Sequence, residues 1–400
     1  MLMPAGRMNM LGTETAFEVL ARAKALEAKG RSIVNLGIGQ PDFATPEHIV
    51  EAGRKALADG HHGYTPANGI PALREAVAAD LHRRHGVPVS PDSVVVVPGG
   101  KVTMFFAIMM FGEPGVEILY PNPGFPIYES AIRFSGAEPV PMPLHESTGF
   151  SFSADEVLAR ITPRTRLLIV NSPANPTGGV VPRTELDALV AGLERHPQVA
   201  ILSDEIYSSL VYDDVPYHSL LRYESIRDRL ILLDGWSKTY AMTGWRLGYG
   251  VWPAALLDGA QRLAVNSHSC VNAAAQYAGI AALEGTQEPA RHMLAAFAER
   301  RTMIVEALNR IPGFRCVRPG GAFYAFPNVE ATGFDVRTLQ ARLLEDAGVA
   351  TIAGTSFGRH GEGYLRLSYA SSLDALAEAV RRIENWIGDR RSARPSDGDR

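Results

Sequence analysis

The stretch GWSKTYAMTGWRLGY, Gly235 to Tyr249, follows the apolar run Leu230–Leu233 and sets a single lysine, Lys238, where a buried strand ends. Lysine normally keeps its ammonium in water, so this position needs a reason. An arginine, Arg246, stands eight residues further on. Outward from this stretch, Leu230–Leu233 is one of six short runs that read as strands, with Ser93–Val97, Val116–Tyr120, Arg166–Val170, Val199–Leu202 and Leu247–Val251. Helical patterns follow several of them, among them Val102–Met110 and Arg183–Arg195. This alternation predicts an α/β fold, a large domain around a mostly parallel sheet.

The texture changes after a long helical region, Asn272–Asn309. Hairpin-like pieces, FRCVRPGGAFYAFP and EGYLRLSYA, flank helices expected at Val336–Ala347 and Ser372–Ile387, which predicts a smaller α+β domain. An amphipathic helix, Glu18–Lys29, ends at Gly30 and is expected to pack with it. The chain divides accordingly into an N-terminal arm (1–16), a small domain (17–45 and 290–387), a large domain (46–289) and a polar tail (388–400) expected to be disordered.

Composition narrows the function. Lys plus Arg number 39 against 43 Asp plus Glu, a balance that argues against a nucleic-acid or membrane partner. The most apolar run, VTMFFAIMMFG, is shorter than the ~20 residues a membrane span needs. Two cysteines, Cys270 and Cys316, make no disulfide framework, and no secretory signal stands out at the N-terminus. A cytoplasmic protein is expected, with no metal site.

Three polar clusters follow three of the strands. NSPANPTGG follows Arg166–Val170, SDEIY follows Val199–Leu202 and GWSK follows Leu230–Leu233. In open α/β sheets ligands bind beyond the carboxyl ends of strands, so Asn175, Asp204, Tyr207, Ser237 and Lys238 converge if those strands are neighbours. Singly, each has an ordinary reading as a solvated lysine or a helix cap; together they describe a site. A fourth element, VVVVPGGKVTMFFA, puts Gly99 and Gly100 before a helix that opens with Lys101, where free N–H groups and the helix dipole favour an anion. Arg246 adds a guanidinium suited to phosphate.

Pyridoxal 5'-phosphate meets each of these requirements. The amine would form a Schiff base with its aldehyde, the carboxylate would keep its ring nitrogen protonated, and a phenol and an amide would bind its ring oxygen. A dinucleotide fits less well, because NLGIGQPD has only G-x-G before a proline.

SKTYAMTGWRLGY resembles the pyridoxal-phosphate lysine signature of class I/II aminotransferases, the fold-type I enzymes. The resemblance runs through NLGIGQPDFATPEH, GYTPANGIPALREAV, NPGFPIYE, NSPANPTGG, SDEIY and PGGAFYAFP to YLRLSYA, and looks most like the bacterial aspartate, aromatic and prephenate subgroup. It implies a seven-stranded sheet in the large domain and a homodimer with active sites at the subunit interface. Lys238 is then the Schiff-base lysine and proton carrier, Asp204 the partner of the ring nitrogen, and Tyr207 and Asn175 the partners of the ring oxygen. Gly99, Gly100, Lys101, Ser237 and Arg246 would hold the phosphate, Tyr64 would reach the phosphate of the partner subunit, and Phe125 would stack on the ring. Arg366, with Asn175 and the backbone of Gly39, would grip the substrate α-carboxylate.

The implied activity is ping-pong transfer of an amino group between an L-amino acid and a 2-oxo acid, aspartate-like or broad in specificity. The alternative on the same site is a lyase, or an enzyme of β- or γ-elimination, replacement or cyclisation. Lys101 either meets a distal substrate carboxylate or contributes only its backbone N–H, and MNMLGTETAF brings Thr13 and Thr15 towards the pocket entrance. Ala273-Ala274-Ala275 departs from the proline and hydroxyl residue that many relatives carry there, a change expected to bear on substrate preference.

Overall fold

The computed structural model describes residues 2–392. Its strands are β1 (Val34–Asn35), β2 (Val94–Val97), β3 (Glu117–Asn122), β4 (Glu138–Pro143), β5 (Thr165–Asn171), β6 (Ala200–Asp204), β7 (Leu230–Gly235), β8 (Gly248–Val251), β9 (Tyr324–Ala325), β10 (Val349–Ala350), β11 (Ile352–Ala353) and β12 (Leu365–Ser368). Seven of them form one sheet in the order β2-β8-β7-β6-β5-β3-β4. Only β8 runs antiparallel to its neighbours; the remaining pairings are parallel.

The inner sheet strands are near-continuous apolar runs because both faces are covered. Val94, Val96, Leu168, Val170, Leu230 and Leu232 enter the core on one face. Their neighbours Val95, Val97, Leu167, Ile169, Ile231 and Leu233 enter the core on the other. Each such side chain contributes about 1.5–3 kcal/mol relative to exposure, so the register is strongly specified.

β4 is missing from the strands read in the sequence, since EPVPMP carries three prolines. It is an edge strand, and its partner-facing side is occupied by other residues: Glu138 N–H bonds Val116 O and, just beyond the strand, Leu144 N–H bonds Asn122 O. By period two, Pro139, Pro141 and Pro143 direct their absent N–H positions away from β3, where nothing is lost.

A second core gathers Leu36, Tyr207, Leu210 and Tyr212 with residues between Met293 and Ile387. It surrounds a three-stranded sheet, β11-β12-β9, while β1 pairs with β10. The first hairpin-like piece is closed by the antiparallel bridge Arg315–Asn328, and the two pieces also pair with each other, β9 against β12. Helix Thr15–Glu27 packs on β10 and β11, with Arg22 paired to Glu345. The long helical region is two helices, Ala273–Glu284 and Glu288–Leu308, parted at Gly285. Boundaries expected after residues 16, 289 and 387 fall inside helices, and the last helix runs from Leu373 to Ser392. That helix corrects the expected disorder over 388–392; the rest of the tail, 393–400, lies outside the described residues. Among the described residues no helix is long and apolar enough to cross a membrane.

Candidate active site

β5, β6 and β7 are consecutive in the sheet, so the three polar clusters emerge side by side. β7 passes into a short helix, Trp236–Thr239, anchored by the Trp236 indole N–H on Gly279 O at 3.0 Å. Lys238 leaves this turn half-buried, and its Nζ donates to Gly39 O at 2.6 Å. The Tyr207 and Phe323 rings lie 6.0 and 5.8 Å from the ammonium. No carboxylate pairs with it among the described residues. Burial, then the positive charge of Arg366, lowers its pKa to about 8, with Arg246 and Lys101 acting in the same sense and Glu14 opposing. At pH 7 roughly one amine in ten is then neutral, far more than for an ordinary lysine.

Asp204 closes β6 and is buried. Tyr128 donates to its Oδ2 at 2.6 Å and the Ile206 N–H to its Oδ1 at 3.3 Å. Burial nevertheless lifts its pKa to about 6, helped by the charge of Asp234. No cation meets this carboxylate among the described residues, so it stands ready for a cationic N–H donor. Tyr207, three residues on, shares a 2.7 Å hydrogen bond with the Tyr324 hydroxyl, both rings buried.

Arg366 is the counterpart of opposite sign. It lies in β12, 4% exposed, between Leu365 and Leu367, which are both buried in the second core. Its Nη1 donates to Asn175 Oδ1 at 3.0 Å and its Nη2 to the carbonyl of Gly37, while its buried Nε has no partner. The Tyr324 and Phe357 rings flank the guanidinium at 4.7 and 4.8 Å. Burial lowers the arginine's pKa. A guanidinium buried without a carboxylate is costly until an anion reaches it. Gly39 sits tightly beside this group: a Cβ there would come 2.1 Å from the Tyr324 hydroxyl.

The other end of the crevice is built for an anion. Gly99, at φ +94°, turns the chain into helix Lys101–Phe111, leaving the N–H groups of Gly100 and Lys101 at its open end. A Cβ on Gly99 would lie 2.1 Å from Arg246 Nη2, so glycine is what lets the guanidinium approach. Arg246 donates from Nη1 to Thr243 O at 2.8 Å and keeps an exposed face, and Ser237 is buried nearby on the lysine turn. The Lys101 side chain turns away to pair with Glu14, its ammonium 5.2 Å from the half-buried Phe125 ring.

Hydrogen bonds and ring contacts thus join Lys238, Gly39, Tyr207, Asn175 and Arg366, with Asp204 at the neighbouring strand end. Tyr64 is 94% exposed and meets none of them within the chain. The sequence reading missed Tyr128, Tyr324 and Glu14, although NPGFPIYE, PGGAFYAFP and MNMLGTETAF all contain them or border the site. Nothing in those strings says which side chain turns inward.

An amine poised near neutrality, an uncompensated acid and an uncompensated guanidinium suit chemistry at the α-carbon of an amino acid. Comparison with known proteins agrees. A family model described as aminotransferase class I and II matches residues 31–383. An aspartate aminotransferase of Geobacillus stearothermophilus is 38% identical over 96% of this chain and 98% of its own length. A probable aspartate/prephenate aminotransferase of Aquifex aeolicus is 39% identical over 96% and 98%. The solved structure of the Thermus thermophilus aspartate aminotransferase with maleate superposes with a TM-score of 0.91 at 36% identity, covering 96% of this chain and 100% of that one. The chain belongs to the class I and II aminotransferases and is an enzyme that transfers amino groups.

Proposed function

We propose that this aminotransferase works with pyridoxal 5'-phosphate as a homodimer, exchanging amino groups between L-amino acids and 2-oxo acids, with aspartate-like dicarboxylic substrates among them. The observation that carries this is the charge left open in the crevice: Asp204 buried without a cation, and Arg366 buried with Nε unpartnered. The donor set suits the cofactor. Lys238 offers an amine for an aldehyde, Asp204 an anion for a ring nitrogen, and Tyr207 and Asn175 polar groups for a ring oxygen. Gly99, Gly100, Lys101, Ser237 and Arg246 form a phosphate cradle that a Cβ on Gly99 would fill. When bound, the cofactor supplies an electron sink for the charge that develops at the substrate α-carbon.

The chain's own residues do the rest. Lys238 Nζ takes the proton from the α-carbon, and its lowered pKa keeps enough neutral amine for that work. The Asp204 carboxylate would keep the ring nitrogen protonated, and Tyr128 orients that carboxylate. Arg366 and Asn175, with the backbone of Gly39, orient the α-carboxylate by a fork that a lysine could not reproduce. Phe125 would stack on the ring, and Tyr64, exposed on one subunit, would reach the phosphate held by the other. Lys101 meets the side-chain carboxylate of a dicarboxylic substrate. The relatives named as aspartate aminotransferases, one of them solved with maleate, support that preference.

The test is a single turnover with aspartate and no acceptor acid. One equivalent of 2-oxo acid per site, with the amino group retained on the enzyme, is expected. Continuous release of ammonia would instead assign an eliminating enzyme.

A further inference from the structure

The N-terminal arm brings a carboxylate into the crevice. Glu14 directly precedes helix Thr15–Glu27 and pairs with Lys101, its side chain 18% exposed against 45% for the lysine. The arm is held on both flanks of this residue. Gly12 N–H donates to Ser130 Oγ at 2.8 Å, tying the arm to helix Ile127–Ser135, and the Arg7 guanidinium lies 5.5 Å over the Phe134 ring. On the other side Thr13 Oγ1 donates to Glu18 Oε1 at 2.8 Å, closing the first turn of the helix. Glu14 is therefore presented to Lys101 by fixed backbone. Its charge is also felt deeper in, since it opposes the lowering of the Lys238 and Arg366 pKa values and adds to the raising of that of Tyr324.

We propose that Glu14 is a resident competitor for Lys101, occupying the place of a substrate's side-chain carboxylate and setting the preference between dicarboxylic and monocarboxylic substrates. This rests on the reading that Lys101 meets that carboxylate. With an uncharged side chain in the pocket, Glu14 stays on Lys101 and keeps the partly exposed ammonium beside Phe125 paired. With a dicarboxylate, Lys101 exchanges one carboxylate for another, and the displaced Glu14 is a like charge beside the incoming one. The pair thus admits both substrate types while weakening the hold on dicarboxylates.

The experiment titrates succinate and butyrate into the holoenzyme by calorimetry, for wild type, Glu14→Gln and Lys101→Met. Removing the competing charge is expected to raise the ratio of succinate to butyrate affinity by up to about fivefold, the upper end for a partly exposed ion pair. Lys101→Met is expected to lower that ratio by up to about fivefold, the upper end for a partly exposed charge contact. A matching fall in KM for aspartate relative to alanine is expected in Glu14→Gln. If Lys101→Met lowers the ratio while Glu14→Gln leaves it unchanged or lowers it, the competitor role is overturned and the reading of Lys101 stands. If Lys101→Met leaves the ratio unchanged, the reading of Lys101 fails and the competitor role goes with it.

Discussion

Tyr128 donates a 2.6 Å hydrogen bond to Asp204 from a ring with no exposed surface. The bond favours the ionised acid, opposing the burial that lifts its pKa to about 6. Tyr128→Phe removes that support, so Asp204 is protonated at higher pH and holds a ring proton less well. The expected result is a kcat lower by roughly 10-fold or more, the worth of a hydrogen bond to a charged group, and an acid limb of the pH–rate profile displaced upward. A profile unmoved on its acid side would remove Tyr128 from this role.

Asp204 itself should cost the cofactor-free protein stability. Its folded pKa, about 6, exceeds the ordinary 3.8, so folding takes up a proton between those values. Stability then falls as pH rises through that window, and the cost is fully present above it. The difference corresponds to at most about 3 kcal/mol. Asp204→Asn, which keeps an acceptor for Tyr128, is expected to melt higher than wild type above pH 6, with the gap closing below pH 4. Thermal melts of cofactor-free protein across pH decide this, and a variant that melts lower at pH 8 contradicts it.

Lys238→Ala is expected to lose turnover by at least about 10⁴-fold, the upper end of what one positioned base contributes. In wild type, borohydride treatment should fasten the cofactor to the peptide that contains Lys238. Substantial transamination by the alanine variant, or label on another lysine, would sink the assignment.

Arg366 should resist even a conservative change. Its fork holds Asn175 and Gly37 with Nε still free, a geometry an ammonium does not match. Arg366→Lys is expected to raise KM for amino acids roughly 30-fold or more, from the 2–5 kcal/mol typical of a truncated buried charge contact. Affinity for the cofactor, measured by equilibrium dialysis, should change far less than KM. Equal losses in both would point to a structural arginine instead.

Tyr64 offers a test of the dimer. With its ring 94% exposed, Tyr64→Ala should leave the melting of the cofactor-free chain within about 0.5 kcal/mol of wild type yet weaken cofactor binding. Mixing Tyr64→Ala with Lys238→Ala subunits should restore activity, because the hybrid has one site with both residues intact. A monomer in sedimentation, or no recovery on mixing, argues that Tyr64 does not act across subunits.

The framework of the site was legible in the sequence because its signals are local. Strands covered on both faces write themselves as apolar runs, and the turns that end them carry Asn, Asp, Gly and Pro for backbone reasons. That is why NSPANPTGG, SDEIY and GWSK stood out at strand ends. β4 was hidden by prolines that only an edge position tolerates, and the last helix outran its apolar stripe to Ser392.

What the sequence by itself determined is the α/β class, most of the sheet strands, and the inventory of amine and acid at the strand ends with the two arginines that serve them. Only the tertiary structure decided which charges meet. Tyr128 and Asp204 are 76 residues apart and Glu14 and Lys101 are 87 apart, and no periodicity encodes such pairs. They form because strand order and the anchored arm bring them together, and in a low-dielectric crevice a few ångströms decide whether a charge is neutralised or left for a ligand.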